Sequence, residues 1–175
     1  MFPALTDILF SNFLNGNFHK NRKNYIIQSL IIAFCLSLVL LVYRFFGGIV
    51  VASLGASSFI LFITPHTNAS KTRNLTGGYV FGSVSGIVFG LLHTEIAALG
   101  FAGAEYVLIL ICAAAAAAAT FLMISTNLVH PPAAALALGL SSDPDCVRTA
   151  AAAVIGVILL CLIRKILKKH LKNLI

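Results

Sequence analysis

Charge is what this sequence has least of. Asp, Glu, Lys and Arg make up 10% of its 175 residues, against 59% hydrophobic residues and a mean hydropathy of +1.00. An average soluble domain is about a quarter charged, so the chain cannot cover a globular surface with solvated groups. Only five residues are acidic, and none falls inside an apolar block. That excludes a proton relay built from intramembrane carboxylates. Cysteine is sparse as well: Cys35, Cys112, Cys146 and Cys161 stand singly, with no CxxC. Neither a disulfide framework nor a zinc site follows from such spacing, and the four read as small buried hydrophobes. His66, His93 and His130 have no carboxylate or cysteine at ligand spacing, so no metal and no cofactor is expected. A Ser-His-Asp set is also missing, and the chain is not expected to be an enzyme. The polar residues before the first apolar block lack the pattern of a cleaved leader, so that block should remain as an anchor.

What the sequence does have is apolar blocks separated by its charges. They run over 25–43, 47–64, 75–92, 106–124, 133–140 and 147–163. A bilayer core about 30 Å thick needs about 20 apolar residues per helical span. The expected fold is therefore all-α: a polytopic membrane helix bundle of six helical segments in contact with the lipid bilayer. Segments two and five are short enough either to cross or to be re-entrant. The expected organisation is an N-terminal cytoplasmic segment over 1–24, a membrane domain over 25–165 and a basic cytoplasmic tail over 166–175. Within the first part, Leu5, Ile8, Leu9 and Phe13 share a helical face, which suits a short interfacial helix or a frayed tail.

The net charge of +7 flanks the blocks rather than decorating a surface, which reads as orientation in a membrane and not as nucleic-acid binding. With six crossings, Lys71 and Arg73 join the basic termini in the cytoplasm and only Arg44 and Arg148 of the 12 basic residues lie outside. With four crossings, Lys71 and Arg73 move out. The positive-inside rule favours six, with both termini cytoplasmic in a cell (inner or plasma) membrane. The order long, short, long occurs twice, as in transporters built from two inverted pseudo-repeats of three helices.

Two groups of residues carry more than hydropathy. Gly78, Gly82, Gly86 and Gly90 recur at every fourth position, giving a bare helix face for close packing against a neighbouring helix or a second subunit, as in a homo-oligomer. His130-Pro131-Pro132 opens segment five, because proline is preorganised for a first helical turn. Ser125, Thr126 or Asn127 is placed to cap it. A helix start inside the membrane presents free N–H groups and about half a positive charge, a ready anion site; a plain helix break satisfies the same residues. Arg73 and Asn74 raise the same pair of readings at segment three, with Asn74 or Thr76 as its cap.

His130-Pro131-Pro132, with Thr126 and Asn127 before it and small residues after, resembles the HPP family of integral membrane proteins. Gly55-Ala56-Ser57 leading to Pro65, and Arg73-Asn74 followed by Gly77-Gly78, fit the same pattern, which covers about residues 25 to 165. The chain departs from it at Tyr79, where a His often follows the paired glycines, and at Ala134, where a Gly often follows HPP-Ala. The resemblance implies four membrane spans and a transport function, with plastid and cyanobacterial members linked to nitrite. On this reading the chain moves a small inorganic monovalent anion, with Ser57, Ser58, Arg73, Asn74, Thr126, Asn127 and His130 binding it. Gly55, Gly77, Gly78, Pro131 and Pro132 would shape the backbone. The competing expectation is a non-transporting membrane subunit or scaffold that uses the glycine face.

Overall fold

A computed structural model describes residues 18–43, 51–100 and 103–174; the interfacial helix expected over 3–15 lies outside them. Among the described residues there are six α-helices and no strand: α1 (Phe18–Tyr43), α2 (Val51–Ile63), α3 (Thr72–Ala98), α4 (Ala104–Ser125), α5 (Pro131–Leu140) and α6 (Cys146–Leu167), with short 3₁₀ turns at Asn68–Ser70 and Lys168–His170. The expected all-α bundle is thus what forms. Helix ends run past the apolar blocks: α3 begins three residues earlier than expected and continues through His93, Glu95 and Ala98, because an amphipathic end needs no apolar side chains. Two left-handed glycines, Gly100 (φ 62) and Gly103 (φ 98), turn the chain between α3 and α4.

Three of the described helices are long and apolar enough to span a membrane, over Thr72–Ala98, Ala104–Ser125 and Cys146–His170. With 13 and 10 residues, α2 and α5 are only about 20 and 15 Å long, short of a hydrocarbon core. Contacts fix their direction. Gly78 of α3 abuts His130, Gly82 abuts Ala133, Gly86 abuts Ala137 and Leu140, and Gly90 abuts Leu140 and Cys146. Hence α5 runs parallel to α3, and α6 starts where α5 ends. Arg164 of α6 returns to Pro65 and Ser70 beside the start of α3. The end of α2 meets Gln28 of α1 through the Phe62 carbonyl. The starts of α1 and α3 and the ends of α2, α4 and α6 therefore share one end of the bundle. Successive described helices alternate in direction.

The exterior is apolar, unlike that of a soluble protein. Val80, Val84, Val88 and Leu91 on α3 and Ile109, Leu110, Phe121 and Ile124 on α4 are exposed, which suits a lipid-facing surface. Ser53, Ser57, Tyr79, His130 and Arg164 are buried. The expected tail is not free: Leu171 and Leu174 are buried, Leu174 N donates to the Ile63 carbonyl at 3.0 Å, and Gln28 Nε2 donates to the Lys172 carbonyl at 2.9 Å. These bonds staple the 168–174 segment to α1 and α2.

Candidate functional site

The proline pair does what its chemistry dictates. Pro131 and Pro132 occupy the first helical positions of α5, after His130 in an extended conformation (φ −144, ψ 94). Because His130 lies against Gly78, six residues into α3, α5 starts about 9 Å inside the bundle end. Pro131 and Pro132 bring no N–H, and Ala133 N donates to the His130 carbonyl at 2.9 Å, so what this start presents to its surroundings is the positive end of the helix dipole.

His130 is fully buried, and both ring nitrogens are engaged. Nδ1 lies 3.2 Å from the Ala69 carbonyl, which can only accept, so Nδ1 carries the hydrogen. Nε2 lies 2.8 Å from Ser57 Oγ. Ser57 Oγ is also 2.8 Å from the Tyr79 hydroxyl, which is 2.9 Å from Ser53 Oγ. Ser53 Oγ donates to the Pro132 carbonyl at 2.8 Å. One continuous polar chain thus joins the 64–71 connection, α2, α3 and the first turn of α5.

Of the residues expected at a site, Ser57 and His130 meet here. The others do not. Ser58 is buried, but its hydroxyl donates to the Gly55 carbonyl of its own helix at 2.7 Å. Thr126 and Ser125 donate back to Leu122 and Phe121 at 2.7 Å each, so neither caps α5, and no side chain does. Asn127 ends α4 rather than starting α5. Its φ of 55, with Leu128 N bonded to the Met123 carbonyl and Asn127 N to that of Ile124, makes a Schellman turn. Leu128 then packs on Gly77. Arg73 is exposed and Asn74 half-buried. The cap position of α3 is Lys71, without a side-chain bond, while Thr76 donates to the Thr72 carbonyl at 2.9 Å. The capping expectations for Asn74, Thr76, Ser125, Thr126 and Asn127 are therefore corrected. A hydroxyl in or after a helix bonds the carbonyl four residues back when no free N–H is in reach.

Three positions of the buried polar interior escaped the sequence reading. Tyr79 marked only a departure from a familiar pattern, yet it is the hub of the chain. Ser53 went unnoticed beside Ser57 and Ser58 in segment two. Arg164, at the end of the expected membrane domain, was given no role, but it is 9% exposed within α6. Its guanidinium donates to the Pro65 carbonyl and lies 3.3 Å from Ser70 Oγ. Its Nε is buried with no hydrogen-bond partner, as is Ser83 Oγ, one turn beyond Tyr79. The described carboxylates, Glu95, Glu105, Asp143 and Asp145, belong to the opposite end of the bundle. Among the described residues, no group of His, Cys, Asp and Glu is arranged to hold a metal.

The centre of the bundle is therefore polar, free of described carboxylates, and organised by the proline-started helix that follows His130. Compared with known proteins, the chain matches the family model described as "HPP, transmembrane region" over residues 18–174. No curated protein and no solved structure matches it. The match takes in every helix that builds the polar chain, and this integral membrane protein belongs to the HPP transmembrane family.

Proposed function

We propose that the chain carries a small monovalent anion across the membrane, through a site at the start of α5. Nitrite is the candidate substrate that the family resemblance supplies. The observation that carries the reading is the buried cluster of His130, Ser57, Tyr79 and Ser53 inside a bundle with an apolar exterior. Polar groups in a membrane interior are costly and mark transport paths. This cluster holds an imidazole and three hydroxyls that can turn from one another to an anion, beside the positive end of α5 and, nearer the basic end, the Arg164 guanidinium. It offers no negative group to hold a cation. Hydroxyls and a helix end without a fixed lysine bind an anion weakly, and release requires weak binding.

The scaffold alternative loses its main support, because the chain's own α5 fills the glycine face. An enzymatic role for His130 as a base lacks an orienting carboxylate, since Nδ1 is spent on a peptide carbonyl. Purified protein in liposomes should take up nitrite faster than protein-free vesicles, with nitrate and formate competing and large organic anions inert. Absence of flux for nitrite, nitrate, formate and chloride alike sinks the reading.

Orientation follows the charges. Lys71, Arg73, Arg164, Lys165, Lys168, Lys169 and Lys172 gather at the end that also holds the start of α1, and the positive-inside rule places that end in the cytoplasm of a cell membrane. A single cysteine at position 71, with the four native cysteines replaced, should react with an impermeant thiol reagent only after the membrane is opened. One at position 99 should react in intact cells. Labelling of position 71 from outside would reverse the assignment.

A further inference from the structure

The polar chain contains one more contact than its neutral groups have hydrogens. Its five contacts run from the Ala69 carbonyl to His130 Nδ1, from Nε2 to Ser57, then to Tyr79, to Ser53 and to the Pro132 carbonyl. Both ends are carbonyls, which accept and never donate. Between them a neutral imidazole, two serines and a tyrosine bring one hydrogen each, four in all. Whatever the rotamers, one contact in the neutral chain sets lone pair against lone pair, and a buried network with one unmet link is unfavourable. A single added proton completes it. Imidazolium donates to Ala69 and Ser57, Ser57 to Tyr79, Tyr79 to Ser53, and Ser53 to Pro132.

We infer that the His130–Ser57–Tyr79–Ser53 chain takes up one proton together with the transported anion, which makes the protein a proton–anion symporter. The inference rests on the transport reading above and adds the coupling ion to it. The charges around His130 explain why proton and anion travel together. From α2 the ring meets Ser57, with Ser53 one turn back on Tyr79, and from α3 it meets Tyr79. The 64–71 connection brings the Ala69 carbonyl, with His66 turned to the Leu171 carbonyl and Lys71 exposed. Beyond that connection, α6 adds Arg164 and Cys161, the latter beside Tyr79, and α4 contributes the uncharged Met123 near Gly78. No described group here is a carboxylate. A proton on the chain therefore has no fixed counter-charge, and an isolated charge in apolar surroundings is unstable. The anion supplies the missing charge, and by linkage each ligand raises the affinity for the other. The proton enters on Nε2 from the solution that supplies the anion and leaves with it on the other side, so no net charge moves.

Liposomes holding a pH-sensitive dye test this with a nitrite gradient and with nitrate, subtracting the rate in protein-free vesicles. The expected result is lumenal acidification at one proton per anion, with flux unaffected by a potassium–valinomycin potential. Flux driven by that potential without proton movement would overturn the coupling and leave the transport reading standing. Lack of flux for every anion overturns both. Two variants probe the hydrogen count itself. Ser53→Ala leaves three contacts and three hydrogens, and Tyr79→Phe does the same by removing two contacts and one hydrogen. Each balances the neutral chain. Both should lower proton affinity by about tenfold, the worth of one hydrogen bond, and move the alkaline limb of the flux profile about one pH unit toward acid. Variants that lose flux equally at every pH would show a structural role only and defeat the inference.

Discussion

His130→Asn is expected to cut anion flux by about 10- to 150-fold while leaving the folded yield close to wild type. An asparagine amide stands where Nδ1 stands in histidine, so its N–H can still donate to the Ala69 carbonyl. Anchoring of the 64–71 connection to α5 then survives, and the cavity left by the ring is small. What is lost is Nε2, the group 2.8 Å from Ser57 Oγ, and with it the only imidazole in the polar chain. A hydrogen bond to a charged partner is worth about 1.5–3 kcal/mol, which converts to about 10- to 150-fold in rate or affinity. His130→Asp should be worse still. A carboxylate there faces the Ala69 carbonyl and stands where the anion must pass, so flux should fall to the protein-free level. Nitrite flux in liposomes, normalised to monodisperse protein, measures both. Wild-type flux in His130→Asp would leave HPP as a structural turn and move the site elsewhere.

How much of this was legible beforehand depends on whether a residue acts through local or distant partners. The Pro131–Pro132 start was readable, because a missing N–H and a fixed φ are properties of the residue itself. The glycine ladder was readable too, since a period of four places Gly78, Gly82, Gly86 and Gly90 on one face of any helix. The network was not. Tyr79 lies 26 residues beyond Ser53 and 22 beyond Ser57, and His130 lies 73 residues beyond Ser57. Nothing local separates these hydroxyls from Ser58, which turns back on its own helix. Arg164 escaped the sequence reading for a related reason. It opens a run that includes Lys165, Lys168 and Lys169, and only tertiary packing shows that the first member points inward to Pro65 while its neighbours face outward. Asn127 misled because asparagine suits both a helix start and the left-handed end of the preceding helix. The chain uses the second.

Gly82→Leu is expected to remove most of the folded protein, and the reason lies in backbone rather than side chains. A Cβ built on Gly82 would sit 2.4 Å from the Ala133 carbonyl oxygen and 3.1 Å from its carbon. No rotamer relieves that, because the obstruction is the first turn of α5 itself. The two helices must part, and parting them pulls Pro131 and Pro132 away from α3 and breaks the chain at Tyr79 and Ser53. Gly86→Leu meets Leu140 Cβ at 2.5 Å and the Ala137 carbonyl at 3.0 Å, and should behave alike. Overpacking by one or two methylenes costs about 1–3 kcal/mol, and a leucine against backbone exceeds that. Monodisperse yield should therefore fall by about tenfold or more. The control is Gly55→Ala on α2, where nothing lies within 4 Å of the added Cβ. Alanine favours a helix over glycine by about 1 kcal/mol, so this variant should be as stable as wild type or slightly more so. Size-exclusion profiles and thermal unfolding in detergent separate the cases. If the glycine face served a partner protein instead of α5, Gly82→Leu would fold normally and lose only an assembly, and that result would dismantle the packing on which the site depends.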